Sequence, residues 1–209
     1  MAVSASLFAQ SVAEPQLVME ETSKRMVRAF MDNAEAIRND PDIAHDLINE
    51  NLLPKINFKL MSRYVLGKNW KKATPAQQQE FIIQFRELLI KFYSKALLQY
   101  LQSNEVHENI ITFKPYRGKK GSRYATVRSL LHPPEGGAAV QVNYDLYQSK
   151  KSGLWQVYDV TIEGISMVSN YRTSFNESIA KNGMDGLIKE LKDKVKSLNQ
   201  SEQLVNKKA

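Results

Sequence analysis

The chain has 209 residues, of which 43% are hydrophobic and 24% charged, with no cysteine and a formal net charge of +7. Thiol catalysis and structural disulfides are excluded, and nine glycines and seven prolines are too few for a fibrous or low-complexity chain. No apolar run reaches the roughly 18 residues of a membrane-spanning helix, so one water-soluble domain with a taste for anionic partners is expected.

Residues 2–13 are small, apolar and uncharged, and Glu14-Pro15-Gln16 follows at once. Ser11-Val12-Ala13 has the small-x-small form of a signal-peptidase site. Residues 1–13 are therefore expected to be the remnant of a secretory signal, with an unstructured end as the alternative.

From Pro15 to about residue 103 the apolar spacing is helical. Pro15 suits a first helical position, and Leu17, Val18, Met26, Val27, Phe30 and Met31 form a stripe that predicts one helix to about Arg38. Asp40-Pro41 opens a second helix with Ile43, Leu47 and Ile48 inward, stopped by Pro54. A third covers 57–66 and ends at Gly67. Thr74-Pro75-Ala76-Gln77 joins an N-cap, a proline at the first turn and a capping box, and opens a helix of about 25 residues. Its apolar face, Phe81, Phe85, Leu88, Leu89, Phe92 and Ala96 widened by Ile82, Ile83, Ile90, Tyr93, Leu97 and Leu98, is too broad for one partner. A sheet and a helix, or a bound apolar ligand, must cover it on two sides.

After Asn104 the period becomes two. Residues 110–115, 124–131, 138–148 and 154–163 read as four strands, with turns at 118–121, 133–137 and 149–153. Val140, Val142, Tyr144 and Leu146 share a face of the third strand, and Leu154, Tyr158, Val160 and Ile162 share one of the fourth. Helical spacing returns over 167–181 and 184–198, and 199–209 are expected as a flexible tail. The predicted fold is α+β: a curved four-stranded antiparallel meander covered by helices, in a single domain over 14–198.

Catalytic signatures come out negative. Gly164-Ile165-Ser166 begins a nucleophile elbow, but Val168 replaces its second glycine. His107-Glu108 begins a zinc motif without the second histidine, and the remaining histidines, His45 and His132, stand at unrelated places. Asp159 and Glu163 could form an acid pair on one strand face, but without a partner motif a solvated face explains them better. Arg117, Lys119, Lys120 and Arg123 crowd one hairpin, and Lys68, Lys71 and Lys72 flank Trp70. These clusters fit docking to an acidic partner or to anionic head groups better than nucleic acid, which would want more interleaved aromatics.

Leu52-Leu53-Pro54, Met61-Ser62-Arg63-Tyr64-Val65-Leu66-Gly67 and Trp70-Lys71-Lys72-Ala73-Thr74-Pro75-Ala76-Gln77, followed by Phe81 and Phe85-Arg86, carry a family resemblance. It continues in Trp155-Gln156-Val157-Tyr158-Asp159-Val160-Thr161-Ile162-Glu163-Gly164-Ile165-Ser166-Met167-Val168, in Asn170-Tyr171-Arg172 with Phe175, and in Gly183-Met184-Asp185-Gly186-Leu187. Over roughly residues 40–190 the chain resembles the MlaC-type periplasmic phospholipid-binding proteins, also called the toluene-tolerance family. The resemblance implies a periplasmic carrier that shuttles phospholipid between an outer-membrane lipoprotein complex and an inner-membrane ABC transporter of the Mla pathway, touching membrane surfaces transiently. It also implies a fold similar to the nuclear-transport-factor-2-like cone, with acyl chains inside and no catalytic residues or cofactor.

An apolar lipid cavity is therefore expected. Its candidate walls are Met61, Val65, Phe85, Leu88, Leu89 and Phe92 from helices, and Val127, Val140, Val142, Tyr144, Leu146, Tyr158, Val160 and Ile162 from the sheet. Ile165, Met167, Val168 and Tyr171 should close one side, and Arg117, Lys119, Lys120 and Arg123 are the candidate docking residues. Two other readings stay open: a small-molecule enzyme on such a cone, disfavoured by an inward face of aliphatics and tyrosine, and a basic protein or nucleic-acid interaction module.

Overall fold

The computed structural model describes residues 14–206 apart from positions 41, 105, 120, 134 and 135, with only the backbone given for 102, 103 and 201–206. The expected signal remnant (1–13), Pro41 and the candidate docking residue Lys120 thus lie outside the described residues.

Pro15 opens α1 (Pro15–Asp32), and the predicted single helix to Arg38 is in fact two, with α2 (Ala34–Asn39) following a break at Asn33. The Asn33 side chain donates to the Ala29 carbonyl at 2.8 Å. An asparagine that satisfies a helix carbonyl with its own amide frees the backbone to turn, which is the local competition that makes it a poor interior residue. Next come α3 (Asp42–Asn51), a 3-10 turn (Leu53–Lys55) held at Pro54, and α4 (Phe58–Leu66). Asn57 caps α4 by accepting the Leu60 N–H at 2.9 Å, and Gly67 ends it with φ of 52°.

The expected capping box is present at the start of α5 (Pro75–Ser103). Thr74 accepts the Gln77 N–H at 3.2 Å, and Gln77 accepts the Thr74 N–H at 3.0 Å. With 29 residues, α5 is the longest uninterrupted helix among the described residues. After the sheet, α6 (Met167–Asn206) breaks at Gly183, whose φ of 70° no ordinary residue adopts cheaply, so the two predicted helical stretches are both there. It continues to Asn206, well into the stretch expected as a tail.

The sheet is antiparallel and in meander order, as expected, but it has five strands: β1 (Ile111–Phe113), β2 (Tyr124–Leu131), β3 (Val140–Gln148), β4 (Trp155–Ile162) and β5 (Ile165–Ser166). The extra strand follows a tight turn in which Glu163 and Gly164 both have positive φ, so Ile165 folds back to pair with Ile162. Two residues are too few for a period to announce them.

A second departure lies in β4. Asp145 pairs with Asp159 but Leu146 pairs with Val157, which leaves Tyr158 as the extra residue of a bulge. Beyond it the alternation is inverted. Trp155 and Val157 are buried with Leu146, whereas Leu154 is 63% exposed and Tyr158 packs against Tyr64 and Tyr124 on the opposite side. The expected shared face of Leu154, Tyr158, Val160 and Ile162 is therefore kept only by Val160 and Ile162, on the C-terminal side of the bulge, and is inverted for the residues before it.

Three clusters of buried side chains make up the core. One joins α4, α5 and α6 through Met61, Val65, Phe81, Phe85, Phe175 and Leu187. A second joins α1, α2, α3 and α5 through Phe30, Ile37, Ile48 and Leu101. The third packs Met19 of α1 on the inner sheet face made by Ala125, Val127, Leu146, Trp155 and Val157. The broad face of α5 is thus covered on two sides by helices, with Phe81 and Phe85 turned to the first cluster and Ile90 and Leu97 to the second.

Candidate functional site

A cavity of about 230 Å³ lies where the three clusters meet. Met61, Leu89, Phe58 and Met167 reach it from the first cluster, Ile48, Leu52, Leu53, Ile90 and Leu97 from the second, and Met19, Tyr144, Val157 and Val160 from the third. Lys55, Ile56, Thr22, Tyr93 and Ser94 complete the lining, and the surface they present is almost wholly carbon. Thr22 spends its hydroxyl on the Val18 carbonyl at 2.7 Å, so a buried polar atom causes no penalty there.

Ionisable groups on this lining are few: Lys55 and the phenols of Tyr93 and Tyr144. Burial pushes both phenols up, so they stay neutral. Among the described residues no group of His, Asp and Glu is arranged to hold a metal ion. Such a lining can shelter hydrocarbon but offers no general acid–base pair.

Of the candidate wall residues, Met61, Leu89, Tyr144, Val160 and Met167 line this cavity. Val65, Phe85, Leu88 and Val168 are instead packed inside the helical cluster, with Tyr171 against it. Val127 and Leu146 are buried under Met19, and Val142 is buried in β3 beside half-buried Val140. Phe92 is 53% exposed, Ile162 43% and Ile165 67%, and Tyr158 is on the far side of the sheet because of the bulge. The walls that sequence reasoning did not single out come from α1, from α3, from 52–56, from Phe58 at the start of α4, from Ile90, Tyr93, Ser94 and Leu97 of α5, and from Val157 of β4. Pro54, which sits between two apolar helices and holds Leu53 and Ile56 in an exposed-looking turn, was the available signal.

Asp159 is 7% exposed and not on a solvated face. Its carboxylate accepts the Val168 N–H at 3.0 Å and the Ser166 hydroxyl, which places a negative charge at the N-terminus of α6. Glu163, in the turn after β4, accepts the Gln141 N–H of the neighbouring strand β3. Both acids therefore hold backbone rather than each other.

The outer sheet face carries the basic groups. Arg117 and Lys119 line a cleft with Arg128, Tyr124 and Tyr158, and a neighbouring cleft that shares Tyr124 is lined by Arg63, Lys68, Trp70, Lys71 and Arg172. Two basic clusters far apart in the chain are thus brought side by side. Arg123 stands apart in role: its guanidinium donates to the Gln148 carbonyl at 2.7 Å and lies over the Tyr147 ring. Burial pushes the Tyr158 phenol up to about 12, assisted by the nearby Asp145 carboxylate. No helix among the described residues is long and apolar enough to cross a membrane.

Comparison with known proteins agrees with this geometry. The chain is similar to the intermembrane phospholipid transport system binding protein MlaC of Haemophilus influenzae, 25% identical over 174 residues, covering 83% of this chain and 78% of that protein. It is also similar to the toluene tolerance protein ttg2D of Pseudomonas putida, 27% identical over 172 residues, covering 82% and 75%. Among solved structures, the phospholipid-binding protein of Ralstonia solanacearum, determined in complex with a phospholipid, superposes with a TM-score of 0.77 at 26% identity, covering 90% of this chain and 99% of that one. The family model described as MlaC protein matches residues 20–193, nearly the whole of the described fold, and the chain belongs to the MlaC family.

Proposed function

We propose that this protein is a periplasmic phospholipid carrier, not an enzyme, which holds acyl chains between its sheet and helices and moves lipid between the outer and inner membranes to maintain outer-membrane lipid asymmetry. In this reading residues 14–198 form one lipid-binding domain similar to the nuclear-transport-factor-2-like cone, and 1–13 are the end of an export signal. The observation that carries it is the carbon-lined cavity at the junction of the three clusters. The phospholipid bound to the Ralstonia solanacearum protein supports it.

The energetics fit a carrier. Each methylene moved out of water gains about 0.8 kcal/mol, so some 30 acyl methylenes represent on the order of 25 kcal/mol of gross transfer energy. The cavity need only match the bilayer approximately, because tighter binding would trap the cargo. At about 230 Å³ the space is smaller than the ~300–1,000 Å³ of common ligand pockets, so two chains require the walls to part. Met19, Met61 and Met167 stand on that wall, and unbranched thioether side chains re-pack more readily than branched ones.

The paired basic clefts support docking to acidic faces of an outer-membrane lipoprotein complex and an inner-membrane ABC transporter, with Arg117 and Lys119 inside a cleft and Arg123 on the same hairpin. Native mass spectrometry and lipid extraction of the purified protein test the reading. Bound phospholipid at a fixed stoichiometry is expected. A protein that carries no lipid and takes none from vesicles is not a carrier.

A further inference from the structure

Among the described residues, Lys55 is the one charged side chain on the cavity lining. It stands on the 3-10 turn between α3 and α4, half-buried. Because the lining surface is almost all carbon, Lys55 gives the wall its methylene stem while its ammonium lies beyond the apolar surface, as long cationic side chains do at an oily boundary. Among the described residues no carboxylate forms an ion pair with it.

The root of this side chain is fixed. The Asn57 N–H donates to the Val157 carbonyl at 2.8 Å, tying the turn to the edge of β4. The Gln156 amide donates to the Pro54 carbonyl at 3.2 Å, and the Asn57 amide donates to Gln156 at 3.2 Å. A cation held in this way meets whatever anion lies just outside the hydrocarbon. In a diacyl phospholipid that anion is the phosphodiester, one glycerol away from the chains.

Building on the reading of the cavity as an acyl-chain site, we propose that Lys55 is a head-group contact whose ammonium pairs with the phosphodiester of the bound lipid. It selects phospholipids over uncharged glycerides. It also favours phosphatidylglycerol over phosphatidylcholine, whose own cation competes for the phosphate.

The test uses the full chain, stripped of lipid and reloaded from vesicles containing phosphatidylglycerol, phosphatidylcholine or diacylglycerol, with release followed by stopped flow. Lys55→Met keeps the stem and removes the charge. It should speed phosphatidylglycerol release about tenfold, as expected for loss of one charge-assisted contact, and leave diacylglycerol release unchanged. Lys55→Arg should restore the wild-type rate, and Lys55→Glu should release faster still. Release of phosphatidylglycerol from Lys55→Met at the wild-type rate overturns the proposal. So does Lys55-dependent binding of inorganic phosphate to the lipid-free protein, which would make this a site for free phosphate. If the wild-type protein takes up neither phosphatidylglycerol nor diacylglycerol, the acyl-chain reading fails and this proposal falls with it.

Discussion

Asp159 on β4 accepts the backbone N–H of Val168 on α6 at 3.0 Å, so one buried carboxylate couples the end of the sheet to the start of the last helix. Met167, the residue just before that contact, lines the cavity. Removing the carboxylate with Asp159→Ala leaves the Val168 and Val160 N–H groups and the Ser166 hydroxyl without this acceptor. The expected loss is about 1–3 kcal/mol, the range for an uncompensated buried polar group, read from urea denaturation midpoints. A change within the scatter of ordinary surface substitutions would mean that the cap contributes nothing.

The cavity assignment separates residues that resemble one another in sequence. Leu97 lines the cavity, and Leu97→Trp should fill it, lowering bound lipid to less than half while the protein stays folded by circular dichroism, at a cost of about 1–3 kcal/mol for overpacking. Ile165→Glu places a charge on a side chain already 67% exposed and should leave lipid content unchanged. The opposite pattern would move the site to the β5 side.

Tyr158 gives a pH signature. Its phenol is raised from the ordinary 10.0 to about 12, chiefly by burial and then by Asp145, so the folded state favours the neutral form. That contribution to stability is whole below about pH 10 and is lost as pH rises toward the folded value. Tyr158→Phe should therefore flatten the alkaline loss of stability between those limits and change nothing at neutral pH. Denaturation midpoints at about pH 9 and about pH 11 measure this, and equal slopes for the two proteins would contradict it.

The basic clefts predict a kinetic effect. Arg117→Glu with Lys119→Glu should slow lipid transfer to vesicles bearing the partner complexes and weaken its dependence on salt, since exposed charges act over a Debye length of about 8–10 Å. Lipid content at rest should not change. A transfer rate and salt slope equal to wild type would remove this face from the mechanism.

What the chain reveals on reading follows the range of the forces involved. The capping box at Thr74 and Gln77 and the break at Gly183 are local, and both are legible. Asn33 is legible only to a reader who weighs its amide against the apolar stripe that runs through it. The bulge at Tyr158 is set by pairing with β3, and a strict period of two puts Tyr158 on the wrong side. The cavity walls are hardest, because Leu146 and Leu89 are both apolar and inward, yet the first is packed within the sheet cluster and the second lines the cavity. That difference depends on where helices stop, not on residue type.

A void enclosed by one continuous core can enlarge only by loosening the packing around it. Here the boundary runs between three clusters of side chains, the first and second joined through α5 and the second and third through α1. Small displacements of whole bodies along their seams change the volume between them while each keeps its own interlocking. Tolerance for guests of different length and girth is then a property of how the architecture is partitioned, and sets of substitutions within a single body should leave it intact.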